Sequence, residues 1–541
     1  MIRHPREGRI SPGPVLALVA AAAILSLLGF MLWGLGRPTI ARDDRHDEAR
    51  RRSGNSPTTS EQDDNRPLLV YCAAGMRPSL EKIADDYELE YEIATQLQYG
   101  GSNTLLSQIE VSQLGDLFVS ADVDYLELGR QRGLVREILP LARIRPVIVV
   151  RKGNPKGIQS IQDLLRSDVT TALGSPEQAA IGRTTRTLLE KAGIWSSVSD
   201  NVTRTGVFKP TVPEVANDVK LGSVDAGIVW DTTLPLYPDL QAIPVPELEG
   251  GTTLVAVGVL SSTSNPTAAL RLARYIAARD KGLAEISKHG YVVVDGDAWA
   301  EVPELTFFCG AVNRRAVDAV ISRFQQREGA VVNTVYNGCG ILTAQMKTMH
   351  EQGRANGFPD TYMACDRYYL ESVKEWFQDD VNVSNTRVVI AVPKGNPSQI
   401  HSLNDLTKPG IRVAVGQPDQ CTIGVLTRNV LQSEGVYDAV IKNVVTQTAS
   451  SAMLVPTVAT GSVDAALAYS TDTNAESDKV DTIEIPSDAA IAVQPFAIAK
   501  SSQHKQLGHR LLDSIAAAAR DFESAGFQFL LDRSSSTAAN E

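Results

Sequence analysis

The chain has 541 residues, of which 43% are hydrophobic and 21% are charged. This is ordinary globular material, long enough for several domains of about 100 to 200 residues each, so a fibrous or wholly disordered protein is excluded. The formal net charge of −11 argues against a nucleic-acid binder, because counterion release needs a basic surface.

The N-terminus predicts a membrane anchor. After a short segment at 1–13, residues 14–36 form an uncharged, mostly apolar run. At 1.5 Å per residue, a helix of this length crosses the ~30 Å hydrocarbon layer. The alternative is a cleaved signal peptide, but that would have a shorter apolar core and a small-x-small cleavage site, and neither is clear. Residues 37–66 are rich in charged and polar groups, which predicts a flexible tether.

The rest of the chain contains the same sequence motifs twice in the same order. GSVDAGIVW at 222–230 returns as GSVDAALAY at 461–469. Three other pairs are VYCAAG and FFCGAV, YGGSNTLLSQI and YNGCGILTAQM, and VRKGNP and VPKGNP. A spacing near 240 residues exceeds the period of solenoid repeats and indicates duplication of a whole domain. We therefore predict two homologous modules, 67–304 and 305–535, followed by a tail at 536–541.

Each module alternates short apolar strands with helical segments, which is typical of an α/β fold with mainly parallel sheets. In the first module, LLVYCAAG reads as a strand ending in small residues, and PSLEKIADDYELEY then has apolar residues at helical spacing. The same pattern of strand, loop and helix start recurs along the module. Such loops line the ligand crevice of open α/β sheets.

Several helix N-termini that meet in one cleft can bind an anion without lysine or arginine, because their first N–H groups are unpaired and carry partial positive charge. By contrast, enzyme motifs are missing from the sequence. It has no Walker A loop, no G-x-S-x-G elbow and no H-E-x-x-H sequence, so we predict a protein that is not an enzyme. The seven histidines show no metal-ligand spacing, so no metal site or cofactor is predicted.

These motifs resemble the periplasmic molybdate-binding proteins of ABC transporters. The matching run in the first module also includes GDLFVSADVDYLE, ALGSPEQAAIG and VDAGIVWDT. The resemblance implies tandem type II periplasmic-binding-protein modules, each with two α/β lobes around a ligand cleft. It places the crossover strands near 145–152 and 250–260, and near 387–393 and 488–499.

In that family, two serines, two backbone amides and a tyrosine hold the oxyanion. Carried over by position, the resemblance implies ligand-binding roles for Gly75, Ser102, Ile181, Val212 and Trp230 in the first module. In the second module it implies Val312, Cys339, Ile423, Ser451 and Tyr469. The first module keeps one loop serine but has tryptophan in place of the tyrosine. The second module keeps the tyrosine but has lost both serines.

The resemblance implies a solute-binding protein that delivers molybdate or tungstate, or else sulfate, to an ABC permease. The alternative is an anion sensor or scaffold with the same fold and a different or lost ligand. Arginines flank the apolar run on both sides, and the positive-inside rule alone would leave the modules in the cytoplasm. Long domains are translocated largely regardless of this bias, so we place both modules on the periplasmic side of a single-pass anchor in the cytoplasmic membrane.

Three sets of residues have competing interpretations. The neighbours Tyr368 and Tyr369 resemble the paired tyrosines of ferric-ion binders, but packing is the preferred role. Asp225 and Asp464 in the repeated SVDA sequence are expected to be structural. Cys339 and Cys421 fall in predicted cleft loops, where the alternatives are a disulfide, a soft-metal site or no functional role.

Overall fold

The computed structural model describes residues 66–353 and 357–531. The predicted anchor at 14–36, the tether up to residue 65 and the tail at 536–541 lie outside this part of the chain. Within the described ranges, no helix is both long enough and apolar enough to cross a membrane.

The first module alternates strands and helices, as the sequence predicts. Its strands are β1 (Leu68–Ala73), β2 (Thr95–Gly100), β3 (Leu117–Ser120), β4 (Val135–Ile144), β5 (Pro146–Arg151), β6 (Thr171–Gly174), β7 (Val207–Lys209), β8 (Ala226–Trp230), β9 (Leu240–Ile243), β10 (Thr253–Leu260) and β11 (Val292–Val293). Its helices are α1 (Arg77–Tyr91), α2 (Ser102–Ser112), α3 (Val123–Gln131), α4 (Ala180–Lys191), α5 (Trp195–Thr205), α6 (Val212–Leu221), α7 (Pro246–Glu249), α8 (Pro266–Ile276) and α9 (Gly282–Lys288).

The strands of the first module form two sheets, one in each lobe. Their orders are β11-β4-β10-β3-β1-β2 and β7-β6-β8-β5-β9. The chain passes from one sheet to the other between β4 and β5 and returns between β9 and β10. The predicted crossovers near 145–152 and 250–260 are thereby confirmed. The loops after β1, β2, β6 and β7 lead into helical segments, so helix N-termini line the cleft between the lobes.

The second module repeats this order of elements. Its strands are β12 (Glu304–Gly310), β13 (Val331–Asn337), β14 (Thr361–Met363), β15 (Phe377–Pro393), β16 (Val413–Gly416), β17 (Val444–Thr448), β18 (Ala465–Tyr469), β19 (Val480–Glu484), β20 (Ile491–Ala499) and β21 (Gln528–Phe529). Its helices are α10 (Arg314–Glu328), α11 (Cys339–Glu351), α12 (Arg367–Glu371), α13 (Thr422–Ser433), α14 (Tyr437–Ile441), α15 (Leu454–Ala459), α16 (Ser470–Ala475), α17 (Lys505–Ala516) and α18 (Ala519–Ser524).

One long strand joins the two lobes of the second module. Strand β15 pairs with β20 on one side of the crossover and with β18 and β19 on the other. The two lobes therefore share a continuous strand where the first module has the separate strands β4 and β5. This agrees with the predicted crossovers near 387–393 and 488–499.

The aspartates of the repeated SVDA sequence fix the start of a strand in each module. The Asp225 carboxylate accepts hydrogen bonds from the Thr170 N–H and hydroxyl, both at 3.0 Å. The Asp464 carboxylate accepts from the Arg412 N–H at 2.8 Å and from its guanidinium at 2.9 Å. Each aspartate thus ties its strand to the segment before the neighbouring strand, and the predicted structural role is confirmed.

A buried ion cluster joins the two modules. Glu328, at the end of α10, is 2% exposed. Its carboxylate accepts from Arg510 Nε of the second module at 2.6 Å and lies 3.2 Å from Arg274 Nη1 of the first. Arg327 forms a second ion pair across the interface with Glu137, at 2.9 Å. The described residues of both modules accordingly fall in one compact unit.

Candidate functional site

A small cavity between the lobes of the first module brings together all five residues that the sequence analysis selected there. Gly75, Ser102, Ile181, Val212 and Trp230 all line it, and its volume is about 30 Å³. None of the residues that line it is charged. The site is therefore a small, neutral pocket of the size of a small ion.

The two lobes touch at Gly101, the residue before α2. A Cβ atom at this position would lie 2.3 Å from the carbonyl oxygen of Gln178 and 2.6 Å from that of Pro210, both in the opposite lobe. The Asn103 N–H also donates to the Gln178 carbonyl at 3.2 Å. Only glycine permits this approach, so the structure represents the closed form of the cleft.

The cavity is rich in hydrogen-bond donors. Helices α2, α4 and α6 all begin at its wall, and the first N–H groups of a helix have no partner within that helix. The Ser102 Oγ accepts the Ala121 N–H at 3.3 Å, which leaves its own O–H free to donate into the cavity. Donors and helix dipoles without any cation suit a small anion.

Tyr291 lines the same cavity but was missed in the sequence analysis. Its hydroxyl donates to the Gly75 carbonyl at 3.1 Å, and burial raises the pKa of the phenol, so it stays protonated at neutral pH. The first module thus has a tyrosine in the site although the aligned position is Trp230. A repeated sequence pattern could have indicated this position. The Gly-Tyr pair at 290–291 lies just before β11, and the corresponding Gly-Phe pair at 526–527 lies just before β21 in the second module.

In the second module, the five selected residues lie at the matching loop ends and are at most 6% exposed. They are Val312, Cys339, Ile423, Ser451 and Tyr469. Cys339 begins α11 and Ile423 lies in the first turn of α13, as expected. Ser451 differs, because it begins a 3-10 turn and not an α-helix. The lobes again touch at a glycine, since a Cβ on Gly338 would lie 2.5 Å from the Gln420 carbonyl oxygen.

Three thiols lie at this second cleft, where the sequence analysis selected two. The Cys365 N–H donates to Cys339 Sγ at 3.0 Å. Burial disfavours ionisation of Cys339, but hydrogen bonds from the thiol and N–H of Cys365 outweigh it and hold the pKa of Cys339 below its ordinary value. Cys421 lies across the cleft, and burial raises its pKa to about 11. All three cysteines are free thiols, so the predicted alternative of a Cys339–Cys421 disulfide is wrong for this structure.

A carboxyl group also lies beside the second cleft. Burial raises the pKa of Asp472 to about 6, against the opposing effects of Arg315 and of a hydrogen bond with Ser451. One of its carboxylate oxygens is buried without a hydrogen-bond partner among the described residues. The aligned residue of the first module is Thr233, which is neutral. At this position the second module therefore has a carboxyl group where the first is neutral.

The two neighbouring tyrosines lie in different environments. Tyr369 is buried and donates to the Pro418 carbonyl at 3.2 Å, whereas Tyr368 is 54% exposed. The preferred packing role of Tyr369 is confirmed. In the described part of the chain, no three His, Cys, Asp or Glu side chains are grouped so that they could hold a metal ion.

Comparison with known proteins identifies the class to which this fold belongs. The family model for bacterial extracellular solute-binding proteins matches the chain twice, over residues 68–292 and 305–528. These two matches cover most of the chain, so the protein belongs to the bacterial extracellular solute-binding protein family. They also confirm the predicted tandem duplication.

Individual relatives correspond to one module each. The molybdate-binding protein ModA of Mycobacterium bovis is 27% identical over 231 residues, which cover 41% of this chain and 85% of that protein. A Bacillus subtilis protein, provisionally named ABC transporter substrate-binding lipoprotein YvgL, is 27% identical over 243 residues, covering 44% and 90%. A solved periplasmic molybdate-binding protein from Azotobacter vinelandii has a TM-score of 0.35 and 20% identity, covering 42% and 99%.

Proposed function

We propose that this protein is an extracytoplasmic solute-binding protein whose first module binds a tetrahedral oxyanion, with molybdate or tungstate as the preferred ligand. One observation carries the proposal. The five positions at which the related family binds its anion all line a single neutral cavity that is walled by helix N-termini. The molybdate-binding relative supports the choice of ligand class.

The donors in this cavity are sufficient for tight binding. A hydrogen bond to a charged group contributes about 1.5 to 3 kcal/mol, and nanomolar affinity requires about 12 kcal/mol. About five to eight donors would therefore suffice before ordering costs are subtracted. Donors of this kind are the Ser102 hydroxyl and the N–H groups of Ser102, Ala180, Ile181 and Val212, whereas the Asn103 N–H is already bonded to the Gln178 carbonyl. The small volume favours an inorganic ion over a sugar or a peptide.

We restrict the oxyanion proposal to the first module, although the sequence analysis expected both modules to bind one. The second cleft has Cys339 in place of Ser102 and Asp472 in place of Thr233. A thiol is a weaker hydrogen-bond donor than a hydroxyl, and a carboxylate repels an anion. Both differences weaken the case for an oxyanion there.

We also propose that residues 14–36 anchor the protein in the cytoplasmic membrane and that it passes its ligand to an ABC permease. The uncharged run in the sequence and the transporter relative support this placement. Protease added to intact spheroplasts should then digest both modules. Protection of the modules until lysis would favour the alternative, an intracellular anion sensor.

Calorimetry on the full chain tests the oxyanion proposal. Molybdate, tungstate, sulfate and phosphate are each titrated into the wild type, Ser102→Ala and Ser107→Ala. Ser107 is an exposed residue of the same helix and serves as the matched control. We expect Ser102→Ala to weaken molybdate binding by about 1.5 to 3 kcal/mol and Ser107→Ala to leave it unchanged. Absence of binding for all four anions would refute the proposal.

A further inference from the structure

The second cleft has a cysteine at three positions where the first has none. Ser102, Ala121 and Ala179 all line the cavity of the first module. Their counterparts are Cys339, Cys365 and Cys421, which are three of only five cysteines in the chain.

Matching hydrogen bonds establish that these positions are equivalent. The Ala121 N–H donates to Ser102 Oγ, and the Cys365 N–H donates to Cys339 Sγ. Ala179 immediately precedes helix α4 as Cys421 immediately precedes α13. The substitutions therefore alter one site and are not scattered over the module.

A fourth substitution makes room for the thiols. Gly310 ends strand β12 where Ala73 ends β1. A Cβ atom on Gly310 would lie 2.3 Å from Cys365 Sγ and 2.8 Å from Cys339 Sγ. Both sulfur atoms thus converge on the space that the missing methyl group leaves. A side chain as small as alanine would displace at least one of them.

A buried hydroxyl group of the same cleft has no hydrogen-bond partner in the described part of the chain. Tyr469 is 1% exposed, and its hydroxyl has no hydrogen-bond partner among the described residues. Across the cleft, the Cys421 thiol is held at 3.5 Å from each of the Gln417 and Thr448 carbonyl oxygens. Cys421 thus has partners of its own on the other lobe, whereas Cys339 and Cys365 hydrogen-bond to each other and form the sulfur pair of the cleft.

We propose that the cleft of the second module binds a soft, closed-shell metal ion of the Cu(I) type through Cys339 and Cys365. Thiolates select such ions over hard cations and oxyanions. Two sulfur donors suffice for a monovalent ion of this kind, so a third protein ligand is not required. Binding joins the metal to two sulfur atoms and releases two thiol protons to solvent, with no change of oxidation state. This site is separate from the oxyanion cavity of the first module.

Anaerobic competition with a chromophoric Cu(I) chelator tests the proposal on the reduced full chain. The wild type should withdraw one Cu(I) per chain from the chelator. Cys339→Ser and Cys365→Ala restore the residues of the first module, and each should weaken Cu(I) binding by at least about 100-fold, since each removes one of two ligands. Cys72→Ala, which changes a buried thiol in the first module, serves as the control and should bind Cu(I) as the wild type does.

Two outcomes would overturn the proposal. One is a wild type that binds Cu(I) no more tightly than Cys365→Ala, with the melting temperature confirming that this variant is folded. The other is Cu(I) binding that Cys339→Ser leaves unchanged. Molybdate titration of the same variants distinguishes this result from a failure of the oxyanion proposal, because the two sites lie in different modules.

Discussion

The two modules share a fold and differ in the chemistry of their clefts. In the first, Ser102 and three helix N-termini surround a neutral cavity. In the second, Cys339 and Cys365 meet at Gly310, and Asp472 lies beside Ser451. The backbone that closes each cleft is the same, down to the glycine at which the lobes touch. Duplication thus preserved the closing geometry while the ligand-facing side chains diverged.

The two modules pack against each other through the buried Glu328 cluster. Disrupting this interface should have the largest effect of the changes considered, a loss of stability. Glu328→Gln would leave Arg274 and Arg510 buried without a full counter-charge. We expect this change to lower the free energy of unfolding by about 3 to 5 kcal/mol, as measured by urea denaturation. Glu301→Gln breaks the exposed ion pair with Arg271 and should cost less than about 1 kcal/mol. Equal effects of the two changes would contradict a structural role of the interface.

The shared closing geometry can be tested in one module at a time. Gly101→Ala places a methyl group against the carbonyl oxygens of the opposite lobe, so the first cleft should no longer close fully. We expect molybdate affinity to fall by about 10- to 100-fold, equivalent to the 1 to 3 kcal/mol of an overpacked contact. Gly338→Ala introduces the same clash in the second module and should leave molybdate affinity unchanged. Calorimetry of both variants would show whether closure of one cleft depends on the other.

The carboxyl group of the second cleft should give that module a distinctive pH dependence. The pKa of Asp472 in the folded protein is about 6, above its ordinary value of 3.8. Between these values the folded state binds more protons than the unfolded state, so the stability contributed by this group falls as pH rises through 6. Asp472→Asn should remove this decline and raise the free energy of unfolding at pH 7 by up to about 3 kcal/mol, the value of a shift of roughly two pKa units.

Urea denaturation between pH 4 and pH 7 measures this difference, with the exposed residue change Asp478→Asn as the control. If the free energy of unfolding varied with pH in the same way for the wild type and Asp472→Asn, the pKa of Asp472 would not be raised in the folded protein.

The smallest effect on molybdate affinity is expected from a side-chain change at a position where only the backbone N–H is proposed to bind the anion. Val212→Ala keeps the N–H group at the start of α6, so molybdate affinity should change by less than about 0.5 kcal/mol, the usual effect of a change that removes no interaction. Ser102→Ala, in the same cavity, removes a side-chain donor and is the comparison. If Val212→Ala weakened binding as much as Ser102→Ala, the assignment of a backbone donor there would be wrong.

Much of this architecture could be predicted from the sequence because duplication left the motifs in order. The modules follow from the repeated motifs. The crossovers and the positions of the five residues at the first cavity follow from the resemblance to the molybdate-binding proteins. Tyr291 was missed because it lies after the last repeated motif that was compared. Cys365 was missed because its contact with Cys339 arises from two loops that are distant in sequence. The ion cluster at Glu328 involves both modules, and no local pattern encodes it.

Titration of molybdate into the full chain, with stoichiometry as the readout, directly tests whether the oxyanion site lies in the first module alone. We expect one anion bound per chain. Its affinity should fall about 10- to 100-fold in Ser102→Ala, which loses one hydrogen bond to a charged group, and should be unchanged in Cys365→Ala. Two anions bound per chain, or a loss of binding in Cys365→Ala but not in Ser102→Ala, would contradict the assignment of the oxyanion site to the first module.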